Sequence, residues 1–254
     1  MVRSRRAIPG ALDTFRRVAV ERVQAELTKL LVGPRPRYGI ELLRRSGVLA
    51  LVLPELLEGF GLRQNRWHRY DVYHHVLRAV DASPPGLVVR LATLLHDIDK
   101  PRTAAQNPRG EPGELTFHDH ERSGAERAKA LCLRLRYPTK VCEEVALLVR
   151  EHQFVYDESW SDGAVRRMLA RIGEERFDDL VAVRIADVRG RGRAVEEGVA
   201  LNERLQERVH RLIADRPALT AKDLALSGGD HFRSGVWHDW HLLPKLPWCL
   251  SFCS

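Results

Sequence analysis

Cysteine is scarce in this chain: Cys132, Cys142, Cys249 and Cys253 are four among 254 residues. That excludes a disulfide scaffold and makes a reducing cytoplasm the expected compartment. No apolar run approaches the ~20 residues needed to cross a bilayer, so no membrane partner is expected. The basic start, Met1-Val2-Arg3-Ser4-Arg5-Arg6, is followed by no apolar stretch of the kind that makes a secretory signal. Strand signals are few, because period-2 alternation is hard to find. There is no internal repeat.

What is present is charge and helical period. Lys and Arg total 41 against 34 Asp and Glu, a formal net charge of +7. An excess of that sign permits a polyanionic partner such as RNA without demanding one. Most of the positive charge is Arg, the better fork for phosphate. With 30% charged and 44% apolar residues the composition is that of a soluble globular protein.

Apolar residues recur at spacings of three and four. They predict a helix over 11–31, stopped by Gly33-Pro34-Arg35-Pro36, and a short one over 40–45. Asp71 reads as the N-cap of a helix whose one face carries Val72, His75, Val76, Ala79 and Val80, with His74 pointing elsewhere. After Pro84-Pro85-Gly86 a helix runs to about Lys100, and Pro101 ends it. A polar loop covers 103–114. Ser123-Gly124-Ala125-Glu126 reads as a capping box, and Thr139 as the cap of a helix whose inner face holds Val145, Leu148 and His152. Ser161 or Asp162 starts another helix, closed by Gly173. Two more follow, one placing Leu180, Val183 and Asp187 on one face, the last over 196–214.

Chemistry concentrates in Leu94-Leu95-His96-Asp97-Ile98-Asp99-Lys100-Pro101. An adjacent imidazole and carboxylate at the end of an apolar helix offer a mixed N/O set to one divalent first-row metal. His75 and His152 lie on apolar stripes of other helices, and so does Asp187. A buried ionised carboxylate is costly unless paired or metal-bound. Taken singly, His75 and His152 read as satisfied core histidines and Asp187 as the partner of an Arg. Taken together with His120, in the order His, His-Asp, His, His, Asp, they read as one metal site.

That order resembles the HD superfamily of metal-dependent phosphohydrolases, whose pattern is H…HD…D with two added histidines between. His75 matches the first His, His96-Asp97 the doublet and Asp187 the last Asp. His120, in Phe117-His118-Asp119-His120-Glu121, and His152, in Val149-Arg150-Glu151-His152, match the added pair. His74 and His118 flank the site. Asp99 departs from the family, which usually has Gly there; the extra carboxylate either alters metal preference or faces solvent.

The resemblance narrows further. Glu21–Leu31, Gly39-Ile40-Glu41-Leu42-Leu43 and Leu53-Pro54-Glu55-Leu56 are similar to the neck of bacterial CCA-adding enzymes and poly(A) polymerases, the tRNA nucleotidyltransferases. Trp160–Arg167 and Leu219–Ala225 resemble later segments of that family. The implied fold is all-α, a multi-helix HD bundle preceded by a helical neck. It divides into a neck over 1–62, an HD metal-binding domain over 63–195, a helical segment over 196–230 and an atypical tail over 231–254. That tail holds three of five Trp, two of four Cys and three of eleven His, but only three charged residues. It is expected to be a frame-shifted or disordered end. Cys249-x-x-x-Cys253 with His238 and His241 has the residue types of a zinc site at loose spacing; packing or a translation artefact accounts better for the segment.

The family's nucleotidyltransferase head carries a Gly-Gly or Gly-Ser turn followed by Asp-x-Asp. Asp97-x-Asp99 has no such turn upstream and Gly228-Gly229 no such pair downstream, so that chemistry is not expected from this chain. What the resemblance implies instead is a phosphomonoesterase or 2′,3′-cyclic phosphodiesterase acting on nucleotides or RNA ends. His75, His96, Asp97 and Asp187 hold one divalent ion (Ni, Mn, Co, Fe or Mg), with His120 and His152 available for a second. Asp97 orients the attacking water or takes its proton, and Lys100 contacts substrate phosphate. The alternative is an RNA-binding body, holding tRNA beside a separate nucleotidyltransferase head chain and inactive by itself. Arg134-Leu135-Arg136 and Arg189-Gly190-Arg191-Gly192-Arg193 are then candidate phosphate contacts.

Overall fold

The structure is a computed structural model and describes residues 12–111 and 113–215. Among the described residues every element is helical apart from one small hairpin. The first expected helix is two: α1, Leu12–Phe15, closes in a turn, and the extended Ala19 (ψ 136°) restarts the chain as α2, Val20–Val32. Pro36 does not merely stop α2. It occupies the first turn of α3, Pro36–Arg45, where its missing N–H costs nothing. A short α4, Leu49–Val52, and a 3₁₀ segment, Pro54–Gly59, lead into the body.

Asp71 caps α5, Val72–Ala82, accepting a hydrogen bond from the His74 N–H. Helix α6, Leu87–Leu95, is shorter than its sequence suggests. The chain turns through 96–99, and Pro101 lies in the first turn of a new short helix, α7, Lys100–Thr103. The expected polar loop opens with β1 (Ala104–Gln106) and leads into β2 (Leu115–Phe117), an antiparallel hairpin in the register Ala104 to Phe117 and Gln106 to Leu115. Helix α8, His120–Arg134, starts three residues before the expected capping box. Asp119, at φ 57°, precedes it, and the Ser123 hydroxyl donates back to the Asp119 carbonyl, so Ser123 is a first-turn residue and not a cap. Likewise Thr139 is the first residue of α9, Thr139–Glu151; Pro138 holds the cap position. Ser161 caps α10, Asp162–Ile172, as expected, and Gly173, at φ 90°, turns the chain into α11, Glu174–Arg191. Helix α12 is Val195–Ala214.

One core runs through the described residues, from Leu27 and Leu31 in α2 to Val209 in α12. Helix α9 packs on α8 and α6, and α11 on α5. The last pairing is unusually close: a Cβ at Gly190 would stand 2.9 Å from the His75 carbonyl oxygen and 3.0 Å from the Ala79 Cβ. Only glycine lets these two helices meet at that separation. Arg90, 6% exposed, ties the neck to the body: it donates to the Leu31 and Gly33 carbonyls at the end of α2 and to those of Ser83 and Pro84 after α5. No described helix is long and apolar enough to cross a membrane. Met1–Arg6, Leu219–Ala225 and the tail over 231–254, with Cys249, Cys253, His238 and His241, lie outside the described residues.

Candidate metal centre

Three histidines are held by one device. His96, His120 and His152 each donate Nδ1–H to the carbonyl three residues back, Thr93 at 2.7 Å, Phe117 at 2.6 Å and Val149 at 2.7 Å. A ring whose Nδ1 donates to a carbonyl carries its lone pair on Nε2. All three Nε2 atoms face the same point from different elements: the turn after α6, the start of α8 and the end of α9. The β hairpin matters here, because Phe117 ends β2. His75 comes from α5 and Asp187 from α11. All of these side chains, and Asp97, are buried, none more than 3% exposed.

Asp97 stands at the middle. Its Oδ2 lies 3.2 Å from His96 Nε2 and 3.3 Å from His75 Nε2; its Oδ1 lies 3.3 Å from His120 Nε2 and 3.8 Å from His152 Nε2. Asp187 Oδ1 is 3.2 Å from His75 Nε2. His75, His96 and Asp97 form one set of ligand atoms within 4.8 Å of one another, and Asp97, His120 and His152 another. The arrangement suits cations. His75 Nε2 and His96 Nε2 are 3.1 Å apart, which two lone pairs tolerate only around a shared proton or a metal. His120 Nε2 is buried without a formed hydrogen bond, an expensive state for a polar atom unless an ion takes its lone pair. Imidazole plus carboxylate is the donor chemistry of first-row divalent ions, and the carbonyl-bound Nδ1 atoms are the outer contacts such ligands use.

The electrostatics agree. Burial pushes the Asp97 carboxyl up, yet the surrounding His96, Lys100, His120 and His75 hold it well below the usual carboxylate range. Burial also opposes ionisation of Asp187, and Arg191, His75 and Arg184 outweigh it. His152 is pushed well below 6.5 by burial and by His96 and His120, so it stays neutral, as a metal ligand must be.

The sequence reading missed His68. Its Nδ1 pairs with Asn65 Oδ1 at 2.8 Å, and with His75 and Asp187 it forms a third set of ligand atoms within 4.8 Å. Burial and the charge of Lys100 lower its pKa to about 2. No helical stripe marks it, since it sits in the bend before α5; only its proximity to His75 along the chain was a signal.

Other expectations need correction. Asp99 neither joins the ligands nor faces solvent: it is 6% exposed, and Arg127 reaches it at 3.3 Å. Lys100, expected to contact substrate phosphate, is buried and already paired: its Nζ is 2.7 Å from Asp97 Oδ2 and 2.7 Å from Gln64 Oε1. Asp187 is the partner of two arginines, as its residue type alone suggested: Oδ2 accepts from Arg184 at 2.8 Å and Arg191 at 2.6 Å, while Oδ1 faces His75 at 3.2 Å. Arg191 is therefore committed inside the site, and Arg134 is paired with Glu55 at 2.5 Å, so neither is a free phosphate contact. Gly190 is buried against α5. His74 is half-exposed and bonded to Asp71. A cleft of about 250 Å³ opens onto the cluster, lined by Lys100, Arg184, Arg191, His68 and His118 among others.

Two family models match the chain. One, described as the probable RNA and SrmB- binding site of polymerase A, covers residues 3–59. The other, the HD domain, covers 68–191, from His68 to Arg191. Among curated proteins, the CC-adding tRNA nucleotidyltransferase of Thermus thermophilus is 38% identical over 219 residues, 83% of this chain and 49% of that protein. The A-adding tRNA nucleotidyltransferase of Deinococcus radiodurans is 38% identical over 174 residues, 66% of this chain and 39% of that protein. The multifunctional CCA protein of Halorhodospira halophila is 35% identical over 183 residues, 68% and 42% respectively. The chain thus spans half or less of the length of each of these relatives.

Proposed function

The chain carries an HD domain of the kind found in the CCA-adding tRNA nucleotidyltransferases, and from that premise we propose that it is a metal-dependent phosphohydrolase acting on phosphate esters of nucleotides or RNA ends. The observation that carries this reading is the split carboxylate of Asp97, with His75 and His96 against one oxygen and His120 and His152 against the other. His75, His96, Asp97 and Asp187 would hold one divalent ion, and His120 and His152, sharing Asp97, a second.

A divalent ion there supplies Lewis acidity, which acidifies water and offsets charge on phosphoryl oxygens. The protein does the rest. Asp97 orients the attacking water or takes its proton. Lys100, Arg184 and Arg191 surround the cleft with positive charge and draw the substrate phosphate toward the histidines. The cleft has room for a phosphate and its sugar. The test is hydrolysis of phosphomonoesters and 2′,3′-cyclic phosphodiesters with added Ni²⁺, Mn²⁺ or Co²⁺. Turnover by an Asp97→Ala variant equal to that of the wild type would refute the reading.

The match over 3–59 to an RNA-binding model favours a second role. In this reading the neck over 1–62 and the HD domain over 63–195 form a cytoplasmic tRNA-binding body that works beside a nucleotidyltransferase head. Salt-dependent tRNA binding without any metal-stimulated turnover would favour this role alone.

A further inference from the structure

Beside the metal cleft lies a second, open depression of about 580 Å³. The two share walls: Glu121 and Gln153 line both. This follows from chain order. Glu121 and Arg122 come directly after His120 at the start of α8. Arg150, Glu151 and Gln153 bracket His152 at the end of α9. Arg171, near the end of α10, closes the far side. Any molecule whose end reaches the histidines therefore passes over this depression if it extends in that direction.

The depression is built for negative charge. Three guanidinium groups line it, from Arg122, Arg150 and Arg171, against the carboxylates of Glu121 and Glu151. Glu151 is taken up by Arg171 at 3.0 Å. Arg122 is held only loosely, 3.6 Å from an Asp119 that, like itself, is 71% exposed. Arg150 is exposed and makes no ion pair among the described residues. Two exposed guanidinium forks, one loosely paired and one with no ion pair among the described residues, are thus positioned to take phosphate oxygens, the geometry arginine serves best.

We propose that this depression is an RNA subsite, in which Arg122 and Arg150 bind backbone phosphates on the 5′ side of an ester held in the metal cleft. The site therefore selects RNA ends over mononucleotides. This inference rests on the phosphohydrolase reading for its catalytic form, and its binding form stands without it.

The double variant Arg122→Glu, Arg150→Glu separates the two. Its substrates are a hexaribonucleotide ending in a 2′,3′-cyclic phosphate and a 2′,3′-cyclic mononucleotide. For two lost phosphate contacts, kcat/KM for the hexamer should fall about tenfold, mostly through KM, and the salt slope of hexamer binding should flatten by about two. Turnover of the mononucleotide should stay within about twofold, because neither residue reaches the histidine cluster. Hexamer turnover that is unchanged, or that falls in step with the mononucleotide, overturns the subsite. Should the wild type hydrolyse neither substrate, the phosphohydrolase reading fails by itself. Fluorescence anisotropy of the labelled hexamer then decides the subsite: weaker binding by the variant supports it, and equal binding overturns it.

Discussion

Gly190 of α11 stands against His75 of α5 so closely that a Cβ at 190 would lie 3.0 Å from His75 Nδ1 and 2.9 Å from the His75 carbonyl oxygen. One glycine thereby sets the distance between the helix that carries the first histidine and the helix that carries Asp187. In Gly190→Ala the backbone of one helix has to move, since the opposing atom is a carbonyl. The expected cost is about 1–3 kcal/mol of stability, with weaker metal retention because Asp187 withdraws from His75. Thermal unfolding in the presence and absence of added metal measures both effects. An unchanged melting temperature with full metal content would show that the helices have slack.

Arg90 should matter as much to stability as any apolar core residue. Its guanidinium is the partner of four carbonyl oxygens at the ends of α2 and α5. Arg90→Met leaves those acceptors in a place water does not easily reach. The expected loss is about 3 kcal/mol, or a fall in Tm of roughly 6–12 °C for a chain of this size. Calorimetry of the variant checks it.

How far these features could be read beforehand depended on whether a local pattern carried them. His75 and Asp187 were legible because each falls on an apolar stripe with a period of 3.6, and the His96-Asp97 doublet because it ends one. His120 came only through resemblance. Its own helix start was misread, because Ser123 and Glu126 imitate a capping box while an Asp119 in the left-handed region had already begun the helix. The hairpin was missed since three-residue strands are too short for alternation to show. The pairing of Asp99 with Arg127, of Asp187 with Arg184 and Arg191, and the four-carbonyl grip of Arg90 join residues that only the fold brings together. His68 lies in a bend with no period at all.

His68 provides a test of the site's outer contacts. It touches His75 edge-on, with ring centroids 5.0 Å apart, and is oriented by Asn65. His68→Ala should keep the fold, because the residue lies outside the apolar core, and lower metal-stimulated turnover about 10–100-fold, the usual loss when a partner of a ligand is removed. Circular dichroism and steady-state kinetics read the two quantities separately.

Glu41 gives a pH prediction. Hydrogen bonds from Arg44, and also from Arg45, lower its pKa to about 2 from 4.5. A carboxyl depressed in the folded state stabilises fully above the unfolded value and progressively less as pH falls from 4.5 toward 2. Glu41→Gln should therefore cost about 1 kcal/mol at pH 7, a value set by solvent screening of a partly exposed pair. The gap between variant and wild type should close near pH 2. A gap that is constant across denaturation curves from pH 7 to pH 2 would contradict the ion-pair account.

The central claim is that Asp97 and the five side chains around it, His75, His96, His120, His152 and Asp187, form a metal site. The most direct measurement is the elemental content of the protein purified without chelator, wild type beside Asp97→Ala. The wild type should carry at least one Ni, Mn, Co, Fe or Mg ion per chain, lose Tm on chelation and regain it on adding metal back. Asp97→Ala should carry almost none. Wild-type protein that is metal-free, and whose Tm responds neither to chelator nor to added divalent ions, would contradict the account.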